Sequence, residues 1–378
     1  MRTNVSPPSD PLVAVVLPPR EGFGPGRSGA IGLIAHRRAT IPGFRCVIVG
    51  GAQSGPTYPG IAFHAIEPSF WHVGNVNNRF TSAMLPWLRR SAPAMIEVHN
   101  RPEIALRLAQ RMPATPVTLL LNNDPQDMRA ARTSEERSEL LRRLGLVMTS
   151  SAYLRERFLT GTNAGEASVA VLPNCIDLAA VPSRLKERLI LFVGRVVAEK
   201  GTDVFATACA TALPQLPGWR AEIIGADRSR DDGPETDFIR SVRTTAERAG
   251  IQMHGYRDYP AVLDAMARAA IVVVPSRWPE PFGLTAVEAL ASGAALISSP
   301  RGGLPEIGGD VAIYIDPDDA GSIVSAILDL ACDPARRAAL GEAGRLRARQ
   351  FDAPAVAARL AELRRCVLAR ARPALAAD

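Results

Sequence analysis

Short apolar runs recur along the whole chain, and a longer stretch with helical spacing of apolar residues follows most of them. In the first half these runs are Leu12–Leu17, Cys46–Val49, Ile61–His64, Ala94–Val98, Val117–Leu121, Val147–Thr149 and Val169–Leu172. Continuous apolar strands that alternate with helices predict a parallel sheet covered on both faces. The chain is therefore expected to adopt an α/β fold.

The same alternation restarts after a short polar, proline-containing segment from Asp177 to Arg188, which predicts a domain boundary. The later apolar runs are Leu189–Val193, Ala221–Ile224, Gln252–His254, Ile271–Val274, Ala295–Ser298 and Ala312–Ile315. A length of 378 residues suits two such domains. We predict two doubly wound, Rossmann-like domains at residues 1–182 and 183–350, with a C-terminal helix and tail at 351–378.

The final segment, Ala353–Arg370, carries Val356, Leu360, Leu363 and Val367 at the spacing of a helical stripe. Such a helix either crosses back to brace the first domain or packs locally on the second, and the sequence leaves both open.

Cysteine usage and the N-terminus bear on the compartment. The five cysteines are scattered and form no CxxC pair, which argues for a reducing compartment and against a structural zinc site. Residues 1–19 lack the apolar core of a signal peptide, and no run of about 18 apolar residues occurs. We expect a cytoplasmic protein, with peripheral contact to the cytoplasmic membrane face as a further possibility.

The positive charge is concentrated in the first half, where residues 1–184 hold 20 Arg and Lys against 13 Asp and Glu. An acidic partner such as an anionic membrane or a phosphorylated lipid would suit that half, and a mildly basic solvated surface is the alternative. A basic amphipathic stretch either touches a membrane or supplies aromatic residues to the core; it contains Trp71, Phe80, Trp87, Arg89 and Arg90. The sequence has no basic cluster interleaved with aromatic residues that would indicate nucleic-acid binding.

The most informative motif begins at Glu280 and opens a helix after the apolar run Ile271–Val274. Gly283 allows the backbone to approach a ligand closely. The amides of Gly283, Leu284 and Thr285 would then lie at a helix N-terminus, where an anion such as a diphosphate binds.

Two glutamates frame this motif. Glu280 precedes the helix and can reach sugar hydroxyls, while Glu288 lies one turn inside and can accept hydrogen bonds from ribose hydroxyls. Thr285 and Glu288 also match a capping box, in which Glu288 would only cap the helix. Both interpretations stay open at this point.

Arg195 and Lys200 follow the apolar run Leu189–Val193, at the strand end where open α/β sheets bind ligands. Two cations there can hold a diphosphate and stabilise a leaving nucleotide. The chain has one other lysine, Lys186, so a lysine at this point is notable. The alternative is a pair of surface cations, one of them bridged to Glu199.

These motifs together resemble family 4 of the retaining glycosyltransferases, which have the GT-B fold. The similarity covers nearly the whole second half, and it rests on Glu280 to Glu288, Gly194-Arg195 with Lys200-Gly201, Gly302-Gly303 with Glu306, and Asn174 with Asp177. The resemblance implies two Rossmann-like domains facing a cleft, with the C-terminal helix crossing back. It also implies a nucleotide-diphosphate sugar, for example a UDP-sugar, as donor, a glycan, lipid or small-molecule hydroxyl as acceptor, and no metal cofactor.

The first half matches this family more loosely. The resemblance places a glycine-rich cleft loop at Glu21–Ile31, where Gly24 would face the donor, and a flexible connection is the alternative. His99 ends the run Ala94–Val98, and in the family a histidine at this place contacts donor sugar or acceptor. A purely structural histidine is equally open.

We therefore predict catalytic roles for Glu280, Arg195, Lys200 and His99. Donor contacts are predicted for Gly24, Arg195, Lys200, Glu280, Phe282, Gly283, Leu284, Thr285 and Glu288. No catalytic base is assigned, because the leaving phosphate itself can take the acceptor proton. A nucleotide-sugar epimerase of the same fold and a non-catalytic sugar-nucleotide-binding protein remain the alternatives.

Overall fold

The computed structural model describes residues 10–69, 71–227 and 235–375, the last four of these by their backbone alone. Residues 1–9, on which part of the signal-peptide prediction rests, lie outside the described residues. The chain forms two compact units, Met1–Pro173 with Ala353–Asp378, and Asn174–Asp352. The units thus divide at 173/174 and 352/353, where the sequence predicted boundaries at 182/183 and 350/351.

The first unit is a parallel sheet with the strand order β3-β2-β1-β4-β5-β6-β7. Its strands are β1 Leu12–Val16, β2 Arg45–Gly51, β3 Ala62–Ile66, β4 Met95–His99, β5 Val117–Leu121, β6 Leu146–Thr149 and β7 Val169–Val171. Its helices are α1 Ala30–Arg37, α2 Val76–Ser91, α3 Pro102–Arg111, α4 Ser134–Arg143 and α5 Ala152–Leu159.

The second unit repeats the architecture, with the parallel order β10-β9-β8-β11-β12-β13. Its strands are β8 Glu187–Val193, β9 Arg220–Ile224, β10 Gln252–Met253, β11 Ala269–Val274, β12 Ala295–Ser298 and β13 Ala312–Tyr314. Its helices are α6 Thr202–Ala212, α7 Asp237–Arg248, α8 Tyr259–Arg268, α9 Leu284–Ala291, α10 Leu304–Gly308, α11 Ala320–Cys332 and α12 Pro334–Ala348.

Both sheets are doubly wound, which confirms the predicted fold class. The strand order reverses between β1 and β4 in one unit and between β8 and β11 in the other. In open α/β sheets the carboxyl ends of the strands at such a switch point form the usual ligand crevice. The loops that follow β8 and β11 are therefore the first place to look for a site.

The last helix, α13 (Ala353–Leu375), packs on the first unit. Val356, Leu360 and Val367 of the predicted stripe are buried, and a Cβ added to Gly145 would lie 3.2 Å from Val367. This confirms the expectation that the helix crosses back. Within the part of the chain that the structure describes, every helix is too short or too polar to span a bilayer.

Candidate functional site

Lys200 and Glu280 meet at the switch point of the second sheet. Lys200 ends a 3₁₀ turn, Ala198–Lys200, in the loop after β8, and Glu280 lies in the loop after β11. The Nζ of Lys200 donates to Oε1 of Glu280, and the side chains are 23% and 12% exposed. The two residues that the sequence placed in separate motifs thus form one charged cluster.

Ser276 completes this cluster, a role that its place in the sequence did not predict. Its buried hydroxyl donates to Oε1 of Glu280 at 2.8 Å and lies 3.2 Å from the carbonyl oxygen of Glu199. The Glu280 carboxylate is therefore held by two donors that come from different loops, Lys200 and Ser276. Such a carboxylate is fixed in place without being sequestered, because its side chain keeps some exposure.

Helix α9 begins two residues earlier than the capping-box interpretation requires. Gly283 is its N-cap with φ +107°, a left-handed conformation that favours glycine. Thr285 is the second residue of the helix and caps nothing, so the capping-box interpretation of Glu288 is wrong. The first amides of any helix lack intrahelical acceptors, and those of α9 start at Leu284.

The side chains of Glu288 and Phe282, both predicted to contact the donor, are buried. Glu288 is 7% exposed in the middle of α9. Phe282 is buried in the hydrophobic core of the second unit, with its ring 5.7 Å from that of Phe351 in a T-shaped arrangement. The side chain of Phe282 is therefore a core element, and a donor contact by this residue would have to use its backbone.

Arg195 differs from Lys200 in its surroundings. Its side chain is 59% exposed, and its guanidinium lies 3.7 Å from the equally exposed carboxylate of Glu199. A contact of that length between two exposed groups holds the side chain weakly. Arg195 is thus in the same loop as Lys200 but is not fixed in a cluster with Glu280.

The Gly302-Gly303 turn packs against the backbone of Glu280. Gly302 has φ +62° and forms a parallel bridge with Glu280, and the amide of Gly303 donates to the Glu280 carbonyl at 2.7 Å. A Cβ on Gly302 would lie 2.3 Å from that carbonyl oxygen. These contacts make Gly302-Gly303 a turn that supports the Glu280 loop.

In the first unit, His99 is buried and paired. Its Nε2 lies 3.0 Å from Oε1 of Glu97, and Arg364 of α13 contacts Oε2 of the same carboxylate with Nε and Nη2, both at 3.0 Å. Burial alone would raise the pKa of Glu97. The Arg364 charge and the hydrogen bonds from His99 and Arg364 outweigh this effect and lower the pKa to about 2. These contacts fit the structural alternative for His99, and a ligand contact by this residue remains a prediction.

Gly24 lies in a loop that is held in place by the preceding residue, Phe23. The amide and carbonyl of Phe23 bond to the side chain of Gln53 at 2.9 and 2.8 Å, and the buried Phe23 ring stacks on Phe63. A Cβ on Gly24 would lie 2.2 Å from the carbonyl oxygen of Pro56, so close backbone packing explains this glycine. The loop therefore has a defined conformation, and its contact with a donor remains a prediction.

The aromatic stretch before and within α2 divides into two kinds of residue. Phe80 is fully buried and Trp87 stacks on His64 at 4.4 Å, as the core interpretation expects. Trp71 and Val73 are instead 77% and 86% exposed. Among the residues that the structure describes, no group of three His, Cys, Asp or Glu side chains could hold a metal ion.

Residues 177–347 match the family model "Glycosyl transferases group 1", which confirms the resemblance found in the second half. The segment contains both loops of the Lys200–Glu280 cluster and the start of α9.

Curated relatives point the same way. A glycogen synthase of Mycobacterium tuberculosis is 32% identical over 240 residues, which cover 60% of this chain and 55% of the relative. A D-inositol 3-phosphate glycosyltransferase of Thermobispora bispora is 27% identical over 348 residues, with 86% and 76% covered. The chain spans about half the length of the first curated relatives it matches.

Solved structures match the whole fold at low identity. A sucrose-phosphate synthase from Thermosynechococcus elongatus has a TM-score of 0.74 at 19% identity, covering 95% of this chain and all of that one. HepE of Anabaena, solved in complex with UDP, has a TM-score of 0.73 at 17% identity, with 93% and 98% covered. The fold is thus that of the GT-B glycosyltransferases, as predicted.

Proposed function

We propose that the protein is a retaining glycosyltransferase, since residues 177–347 match the glycosyl transferases group 1 family model. In this proposal it moves a hexose from a nucleotide-diphosphate donor to a hydroxyl of a glycan, glycolipid or small molecule. The observation that carries the proposal is the Lys200–Glu280 pair at the carboxyl edge of the second sheet, where Glu280 precedes the start of α9 by four residues. UDP is the first nucleotide to test, because HepE of the same fold was solved with UDP.

The proposed roles follow from charge and hydrogen-bonding capacity. An ammonium group has three donors, so Lys200 can keep its bond to Glu280 and still donate to a phosphate oxygen. Arg195 is exposed in the same loop and is free to swing onto the diphosphate. The amides at the start of α9 would add the positive end of a helix dipole. Glu280 would accept bonds from sugar hydroxyls, and Glu288 from the ribose.

The proposed reaction breaks the bond between the anomeric carbon and the diphosphate oxygen. The acceptor oxygen forms the new bond on the same face, and its proton passes to the departing phosphate. Lys200, Arg195 and the α9 amides would stabilise the charge that develops on that phosphate. We propose that these groups do so without a metal ion, so turnover should survive incubation with EDTA.

The experiment starts with a thermal-shift screen against UDP-, GDP- and ADP-glucose. The stabilising donor is then incubated with candidate acceptors, and the product is digested with α- and β-specific glucosidases. Release by the α-specific enzyme alone supports retention. Release by the β-specific enzyme, or a changed sugar formed without any acceptor, contradicts the proposal.

We also propose that the first unit contacts an anionic membrane or lipid-linked acceptor. Trp71 and Val73 are exposed next to α2, which ends in the exposed Arg89 and Arg90. The two groups lie at opposite ends of α2, and exposed apolar and basic side chains carried by one segment are typical of an interfacial contact. Sedimentation with phosphatidylglycerol vesicles should fall severalfold in Trp71→Ser/Val73→Ser and stay unchanged in Leu185→Ser, which removes an exposed apolar residue of the second unit. Equal binding by all three proteins would refute the contact.

A further inference from the structure

We propose that Arg277 is a positioning residue of the donor site, which clamps the loops after β8, β11 and β13 and neutralises two carboxylates beside them. The inference rests on the proposed function, because it concerns how the same site is held ready for a nucleotide diphosphate. Neither the family match nor the sequence motifs assign Arg277 a role.

The guanidinium of Arg277 makes a forked contact with Asp203 of α6. Its Nη1 and Nη2 donate to the two carboxylate oxygens at 2.7 and 3.1 Å. Nη1 also donates to the carbonyl of Ala198 at 2.9 Å, and Nε donates to Asp318 at 2.9 Å. Forked contacts of this kind have a defined geometry that a lysine ammonium does not reproduce.

The backbone around Arg277 holds the turn that carries Lys200. The amides of Arg277 and Trp278 donate to the carbonyl of Glu199 at 2.9 and 3.0 Å. Arg277 therefore grips the Ala198–Lys200 turn twice, through its side chain and through its amide. Lys200 ends this turn and Glu280 lies three residues after Arg277, so the clamp sets the position of one partner relative to the other.

Arg277 also offsets negative charge at the site. Asp203 lies in the first turn of α6 and Asp318 follows β13, and both carboxylates contact Arg277. Asp318 has a second cation, Arg301, at 3.2 Å. Without Arg277 the Asp203 carboxylate would lose its forked partner, and its charge would repel an incoming diphosphate.

The contribution of this clamp to global stability is expected to be small. The side chains of Arg277, Asp203 and Asp318 are 28%, 42% and 57% exposed. Ion pairs with this exposure contribute little to the free energy of unfolding, because solvent screens them. Loop position and local charge should therefore change in a variant that keeps its melting temperature, which separates this role from a merely structural one.

Arg268 provides a matched control. Its side chain is 30% exposed and contacts two carboxylates, Asp264 at 3.1 Å and Glu187 at 3.5 Å. Arg268→Met removes the same charge and the same number of carboxylate partners as Arg277→Met. Arg268 ends α8, however, and makes none of the contacts to the Lys200 turn described above.

The test is calorimetric titration of the full chain with UDP, GDP and ADP, with melting temperatures measured in parallel. We expect Arg277→Met to weaken binding of the preferred nucleotide about tenfold, which is about 1.4 kcal/mol. Arg268→Met should stay within about twofold of the wild type. Arg277→Lys should be intermediate, and Asp203→Asn added to Arg277→Met should recover part of the affinity.

Three outcomes would overturn the inference. Arg277→Met binding like the wild type would do so, and so would Arg268→Met weakening binding equally. A wild-type protein that binds none of the three nucleotides would overturn the proposed function and this inference with it. The first two outcomes leave the proposed function intact, so the two failures can be told apart.

Discussion

Lys200 and Glu280 are eighty residues apart in the sequence and form an ion pair in the folded second unit. The pair joins the loops that follow β8 and β11, the strands on either side of the point where the sheet order reverses. An ammonium group meets a carboxylate at this edge, and under the proposed function the first would bind the diphosphate and the second the sugar hydroxyls.

Replacement of Glu280 tests the proposed contact of this pair with the donor sugar. Glu280→Ala should lower turnover by about 100-fold or more, because the carboxylate would bond hydroxyls of the sugar as the bond breaks. The fold should remain, since its side chain contacts only Lys200 and Ser276 among the bonds described above. Steady-state kinetics and circular dichroism check this. Glu199→Ala is the control, because that carboxylate is exposed and only weakly paired. Wild-type turnover in Glu280→Ala would contradict the assignment.

Glu288 gives a second prediction, on affinity rather than turnover. With the capping interpretation excluded, Glu288→Gln should weaken nucleotide binding about tenfold, because an amide is a poorer acceptor for two ribose hydroxyls than a carboxylate. Calorimetry with the nucleoside diphosphate measures it. If Glu288→Gln instead lowers the melting temperature and leaves nucleotide affinity unchanged, the role of Glu288 is to stabilise the fold.

The fold could be predicted from the sequence because its strands are apolar on both faces. The run Ile271–Val274 and the strand β11 differ at one end only, by two residues. The capping-box alternative at Thr285 failed for a different reason: a Ser/Thr-x-x-Glu pattern signals a helix start without fixing the residue at which it begins. Gly283, in a left-handed conformation, takes the N-cap position that the pattern gives to Thr285.

Gly302 supplies a third prediction, on the support of the Glu280 loop. Gly302→Ala should lower both the melting temperature and turnover, because its Cβ would lie 2.3 Å from the carbonyl oxygen of Glu280 and its φ is +62°. Gly250→Ala is the matched control, with φ +69° and open space around its Cβ. Both variants carry the left-handed strain of about 1–2 kcal/mol, so the excess loss in Gly302→Ala measures the contact. Equal effects of the two substitutions would show that the contact is unimportant.

The buried Glu97–Arg364 pair gives a fourth prediction, on acid stability. Because the pKa of Glu97 falls from 4.5 to about 2 on folding, its stabilising effect is present above about pH 4.5 and is lost as the pH falls towards 2. The loss is on the order of 3 kcal/mol. Urea unfolding of the wild type and of Glu97→Gln/Arg364→Met, from about pH 7 to about pH 3, should show the steeper loss in the wild type.

The double variant is preferred because Arg364→Met alone would leave the buried Glu97 carboxylate without its guanidinium partner, a loss of about 3–5 kcal/mol. All other carboxylates are common to the two proteins, so the difference in slope belongs to Glu97. Parallel pH dependences would contradict the pKa that the structure indicates.

Arg277 and Arg364 could not be found from the sequence for a shared physical reason. Each is one arginine among many in a chain that has two lysines, and each owes its role to carboxylates far along the chain. Arg277 depends on Asp203, 74 residues earlier, and Arg364 depends on Glu97, 267 residues earlier. An arginine in an amphipathic helix such as α13 is usually solvated, so only the folded structure reveals that it is buried.

Helix α12 was not predicted, although its start could be recognised in the sequence. Asp333 is its N-cap and Pro334 its first residue, a combination typical of helix N-termini.

The most direct measurement is a crystal structure of the protein with UDP-glucose, or with whichever nucleotide sugar the thermal screen selects. We expect diphosphate oxygens within hydrogen-bond distance of Lys200 Nζ and of the first amides of α9, with the sugar hydroxyls on Glu280. A diphosphate bound elsewhere on the second unit, out of reach of Lys200, would contradict the proposed donor site.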